Sequence, residues 1–247
     1  MKKEKSPKKI ILSIILMCIW VFVSVVVAQL AIGYLMVWIL GAETFQQPVW
    51  TAVYSGLVYT LALALIIFVP PRVVKKWKTN RKELGLSELP TWTDIGLAPV
   101  GYIASLIAAF GLVSLFSLFP WFDAEQVQNV GFNHYIMGFD RIVAFITLVV
   151  VAPIAEEIIF RGWLYGKIRE ILPGKMSEPA AITIAILIVS ILFGLIHMQW
   201  NVGVNVFALS VVLCGLREIT GTIYAGILTH MLKNGIAFYL LYVLGIG

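Results

Sequence analysis

The sequence predicts an all-α fold, a polytopic membrane helix bundle of about seven transmembrane helices, with six to eight compatible with it. Three observations carry this expectation. Apolar residues make up 60% of the 247, and the mean hydropathy is +0.95. They fall in runs long enough to cross a bilayer, which takes about 20 residues in a helix. The basic residues cluster beside those runs, the pattern of loops held in the cytoplasm.

Met1–Lys9 carries five lysines against one glutamate, and an apolar run follows from Ile10 to Leu40. The hydrophobic core of a signal peptide spans only about 7–15 residues. This run is far longer, so it is expected to stay in place as a tilted helix. A second span covers 49–69 and stops at Pro70-Pro71. The segment Arg72–Lys82 holds six basic residues and reads as a cytoplasmic loop. Leu84–Asp94 reads as a short interfacial connector, with Thr93-Asp94 as a helix cap before a third span at 95–119.

The longest polar interval is 120–138, and His134, between Asn133 and Tyr135, reads there as a loop histidine. A fourth span begins near Phe139 and is ended by Pro173-Gly174. The fifth covers 180–197, the sixth 202–216 and the seventh 222–244. Apart from Arg141 and Lys233, every Lys and Arg lies in the amino terminus, the 72–82 loop, the 161–175 segment or at position 217. That asymmetry predicts a cytoplasmic amino terminus and, with seven spans, an external carboxyl terminus. No repeat or linker divides the chain, so residues 1–247 are read as one membrane domain.

Cys18 and Cys214 stand in separate apolar runs without metal-type spacing and read as packing residues. The net charge of +5 follows from topology, so it implies no nucleic-acid partner. The lipid bilayer is the expected environment.

One stretch departs from this apolar background. In 149–169, VVVAPIAEEIIFRGWLYGKIR, two adjacent carboxylates, Glu156 and Glu157, interrupt the fourth span and Arg161 follows. A charged side chain at mid-bilayer costs about 2.5–3.5 kcal/mol on insertion scales, so such residues usually have a function. Glu157 and Arg161 are four apart and can pair on one helix face. Glu156 lies about 100° round the helix and is left without that partner. One held carboxylate and one free one suits general-base chemistry. Two further stretches place a histidine in an apolar helix: FGLIH at Phe193–His197 and HMLKN at His230–Asn234. His230 and Asn234, one turn apart, can both donate to a single oxygen. Lys233 beside them has no assigned partner, and Phe160 and Phe193 read equally well as pocket walls or as packing.

EExxxR, FxxxH and HxxxN occur here in that order, within the flanks APIAEEIIFRGWLYG and TGTIYAGILTHMLKNGIAF. This arrangement resembles the CPBP family, which comprises type II CAAX prenyl endopeptidases, bacteriocin-processing enzymes and Abi-type bacterial relatives. The resemblance covers residues 139–240 and implies a catalytic core there. It implies an intramembrane endopeptidase acting on a membrane-associated or lipidated peptide or protein, with a bacterial plasma membrane as the expected location. Residue by residue, it implies Glu156 as the base for a water and His197 as the histidine that helps hold it. His230 and Asn234 match the oxyanion pair, and Glu157 and Arg161 the supporting positions.

Two histidines and a glutamate also have the ligand count of a catalytic zinc site, so a zinc-dependent version stands beside the cofactor-free one. A non-catalytic bacteriocin-immunity or interaction protein is the alternative from another class, and an ion-relay transporter a third. One geometric difficulty is visible in advance. If the fifth span enters at Ala180, His197 lies about 25 Å further on, so that helix is expected to tilt, bend or enter late to meet Glu156.

Overall fold

The computed structural model describes residues 7–126, 136–172 and 176–245; His134 and the Pro173-Gly174 stop lie outside them. Among these residues there is no strand, and seven long helices follow one another. They are α1 Pro7–Leu40, α2 Pro48–Phe68, α3 Trp92–Phe116, α4 Gly138–Ile171, α5 Glu178–Ile196, α6 Trp200–Thr220 and α7 Tyr224–Tyr242. The first six are long and apolar enough to cross a membrane, one fewer than the seven spans expected. The remaining helix, α7, is the one that carries His230, Lys233 and Asn234. The bundle turns large side chains outward, among them Leu30, Trp38, Ile107, Phe110 and Ile142. Such surface is stable against lipid, where no hydrophobic force drives it inward.

The third helix starts earlier than expected, because Thr91 rather than Thr93 caps it. The Thr91 amide donates to Asp94 Oδ2 at 2.8 Å, and the Asp94 amide donates back to Thr91 Oγ1 at 3.3 Å. This reciprocal capping box satisfies two amides that would otherwise be orphaned. Thr222 also donates to Asp94 at 3.2 Å, which ties the start of α3 to the turn between α6 and α7.

Helix α4 runs through the middle, packing against α1, α2, α5, α6 and α7. It is not α-helical throughout. Ile146–Val151 and Ile158–Tyr165 are π-helical, on either side of Ala152–Glu157. Pro153 accounts for the first widening. A proline inside a helix lacks its N–H and clashes with the carbonyl four residues back, and a π turn relieves that clash. Such insertions recur at functional sites.

The end of α4 near Ile171 is clamped by charge. Lys167 bonds Glu83 at 2.9 Å and Glu170 at 3.0 Å, and Arg169 bonds Glu218 at 2.9 Å and Glu178 at 3.2 Å. Burial works against the Glu83 charge, but Lys167 beside it outweighs that and holds the carboxyl below its ordinary range. Arg217 reaches the carbonyls of Glu83 and Gly221. It lies against Gly85, whose φ is +75° and where a Cβ would sit 2.6 Å from the guanidinium. Only glycine fits both demands.

The expected depth mismatch between Glu156 and His197 does not arise. Helix α4 continues to Ile171, so Glu156 lies about 22 Å from that end at 1.5 Å per residue; His197 lies about 28 Å from the neighbouring start of α5. No special tilt is required. Helices α5 and α6 meet closely just before His197, where a Cβ on Gly194 would come within 2.8 Å of the Gly203 carbonyl. Small residues of this kind let membrane helices approach backbone to backbone.

Candidate active site

The two glutamates of α4 have different surroundings. Glu157 is fully buried. Its Oε1 accepts from Arg161 Nη1 at 2.9 Å, within the same helix, and lies 3.0 Å from His230 Nδ1 on α7. A carboxylate can only accept, so His230 carries its proton on Nδ1. The other oxygen, Oε2, points at Gly226, where a Cβ would stand 3.1 Å away. Gly226 is one turn before His230 on the same face of α7, so the helix clears space and supplies a donor together. The spacing of the two was the available signal for Gly226, and sequence reading passed over it.

Arg161, also fully buried, lies 4.5 Å over the Phe193 ring. That contact gives a desolvated guanidinium further stabilisation. Phe193 is the hub of the aromatic packing here, edge-on to Phe160 at 4.9 Å, His197 at 5.0 Å and His230 at 6.0 Å. It therefore serves as both packing and pocket wall, spacing Arg161 from the two histidines.

Glu156 faces a cavity of about 210 Å³ between α1, α2, α4 and α5. Its side chain keeps 13% of its surface exposed, against none for Glu157. His197, at the end of α5, lines the same cavity, with its Nδ1 2.8 Å from the Phe193 carbonyl. That carbonyl fixes the proton on Nδ1 and leaves Nε2 as the nitrogen available to a ligand. Polar groups from α1 and α2, Gln29, Tyr54, Ser55 and Tyr59, complete the wall. A cavity of this size has room for water, and these polar groups on its otherwise apolar wall offer it partners.

Glu156 is less isolated than its sequence position suggests. His230 Nε2 lies 3.7 Å from its Oε2, beyond a direct hydrogen bond. The charge of Lys233 acts on both Glu156 and His197, so this lysine belongs to the site's electrostatics. Tyr59 lines the same cavity as Glu156 and interacts with its carboxylate. It stands on a span without any motif, and nothing in the spacing along the chain could have pointed to it.

His230 and Asn234 are expected to converge on one oxygen, and each also has a partner within the protein. His230 turns to the two glutamates, while Asn234 Nδ2 donates to the Leu148 carbonyl at 2.9 Å. The cause is the π turn: in that register the Leu148 carbonyl faces position 153, where proline has no N–H to give. A buried carbonyl needs a donor, and Asn234 provides it with one of its two amide hydrogens.

Among the described residues no group of three or more His, Cys, Asp or Glu side chains is gathered so as to hold a metal. Larger hollows exist, and their chemistry is different. One of about 610 Å³ lies at the clamped end of α4, but its Lys167, Arg169 and Arg217 already hold carboxylates or carbonyls.

Fold and site together define a polytopic membrane protein with a carboxylate–histidine centre between its helices. Residues 138–236 match the family model described as Type II CAAX prenyl endopeptidase Rce1-like. That segment is similar to the CPBP/CAAX protease family, and it contains all six motif residues from Glu156 to Asn234. None of the curated proteins and none of the solved structures compared with the chain matches it.

Proposed function

We propose that this chain is an intramembrane endopeptidase that hydrolyses a peptide bond in a membrane-associated or lipidated peptide or protein, without a metal. The observation that carries the proposal is the contrast between the two carboxylates. Glu157 is spent on Arg161 and His230, whereas Glu156 lines a cavity shared with His197. Glu156 takes the proton of a water lying between it and His197 Nε2, and the hydroxide attacks the carbonyl carbon. The second amide hydrogen of Asn234 stabilises the oxyanion as it forms, joined by His230, which donates from Nε2 when it carries a proton on both ring nitrogens and gives the Nδ1 hydrogen to Glu157. The proton held by Glu156 then passes to the leaving amine, and the peptide bond breaks.

The test uses purified protein in lipid vesicles and a fluorogenic peptide, offered with and without an isoprenyl group on a cysteine. The expected result is a single internal cut, faster for the lipidated peptide because the bilayer concentrates it near the site. Binding of both peptides with no cleavage of either would replace the protease with an interaction protein.

Orientation is part of the same proposal, with the clamped end of α4 and the 72–82 loop in the cytoplasm, on the grounds of their basic residues. A reporter fused after Glu43 is expected to read external and one between Lys76 and Lys82 cytoplasmic. Reversed labelling of both would overturn it.

A further inference from the structure

We infer that Tyr59, on α2, is a positioning residue of this site, one that holds the Glu156 carboxylate in place across the cavity they both line. The inference rests on the reading of Glu156 as the base. It assigns a role to a helix that lies outside the matched segment 138–236.

Four observations support it. Ser55, Tyr59 and Ala62 all line the cavity, and at spacings of four and three they form one stripe of α2. The neighbours one turn before and after Tyr59 are small, so its ring has room to reach across to α4. The side chain shares that cavity with Glu156 and interacts with its carboxylate, and a phenol in an apolar interior needs a polar partner. The remaining groups around Glu156 come from elsewhere: His230 and Lys233 from α7, His197 from the end of α5, and Glu157 with Arg161 on α4 itself. All of these charged and imidazole groups therefore stand on α4 or on the helices that follow it. Tyr59 supplies a tether from α2 within the cavity.

A base must be held close to its productive geometry, since a displacement of about 1 Å can cost roughly 100-fold in rate. Loss of a tether that merely restrains the base is expected to cost less, about 10-fold in kcat. Tyr59→Phe removes only the hydroxyl. In full-length protein in vesicles, kcat per folded molecule should fall about 10-fold, with KM within about twofold and the thermal midpoint unchanged. The decisive reading comes from double variants, because groups acting through each other are not additive. On Glu156→Asp, whose base is already withdrawn, Tyr59→Phe should add less than about threefold. On Asn234→Ala it should add its full factor. Wild-type kcat per folded molecule in Tyr59→Phe would overturn the inference, as would an equal factor in both backgrounds or a loss confined to folded yield. Glu156→Gln separates the two levels of the account. If that variant keeps wild-type kcat, the reading of the base fails; if it is inactive while Tyr59→Phe is normal, only the role of Tyr59 fails.

Discussion

Glu156→Gln is expected to lower kcat by at least about 1,000-fold while folded yield stays at the wild-type level or rises. A positioned general base contributes about 100- to 10,000-fold, and this carboxylate is also asked to carry the proton to the leaving amine. The amide keeps the shape of the side chain and its place beside Tyr59, but it cannot take a proton from water. Stability has little reason to suffer. Glu156 lines a cavity, and His230, 3.7 Å away, is already held by Glu157; removing a partly desolvated charge is commonly neutral or stabilising at a functional site. Glu156→Asp keeps the charge and withdraws it by one methylene, so an intermediate loss of about 100-fold is expected. Steady-state kinetics and thermal unfolding on the same preparations check both. A Glu156→Gln protein that cleaves normally, or that fails to fold, would show that the two glutamates have been given each other's roles.

The reverse profile is expected one residue further on. Arg161→Met leaves the fully buried Glu157 charge with His230 alone. Removing one partner of a buried pair costs about 3–5 kcal/mol, because the other charge stays behind without compensation. Whole domains are stable by only about 5–15 kcal/mol, so most of this variant should fail to accumulate as folded protein. The double change Glu157→Gln with Arg161→Met removes both charges and should recover part of the loss. Recovery will be incomplete, since His230 loses its carboxylate. Thermal midpoints in detergent give the measurement. An Arg161→Met protein as stable as wild type would mean that the pair is not what holds α4 in shape.

These two residues also mark how far the sequence could be read. The Glu157–Arg161 pair is local, four residues apart on one helix, and spacing alone makes the contact available. The all-helical membrane architecture is legible for a similar reason, because run length and charge placement are properties of the chain and not of its packing. Contacts between helices are another matter. Tyr59 meets Glu156 from a span nearly a hundred residues earlier, and no periodicity within α2 points at α4. The partner of Asn234 was hidden differently. Its spacing from His230 suggested a shared oxygen, but Pro153 changes the local helix register and leaves the Leu148 carbonyl in need of a donor. Pro153 was plain in the sequence, yet whether a proline kinks, ends or widens a helix depends on what packs around it. The depth of His197 was misjudged because Glu156 was counted from the start of α4 and not from its Ile171 end, where α5 begins. Counted from the clamped end, the two side chains lie at similar heights.

The central claim is that water, activated by Glu156 without a metal, cuts the peptide bond. Mass spectrometry of the products formed in H₂¹⁸O tests it most directly, using a vesicle-anchored peptide and a strong chelator throughout. Wild-type protein is expected to make one internal cut, with a single ¹⁸O in the new carboxyl group, and Glu156→Gln to make none. A cut that persists in Glu156→Gln, or a wild-type cut that vanishes with the chelator and returns only on adding zinc, would contradict the account.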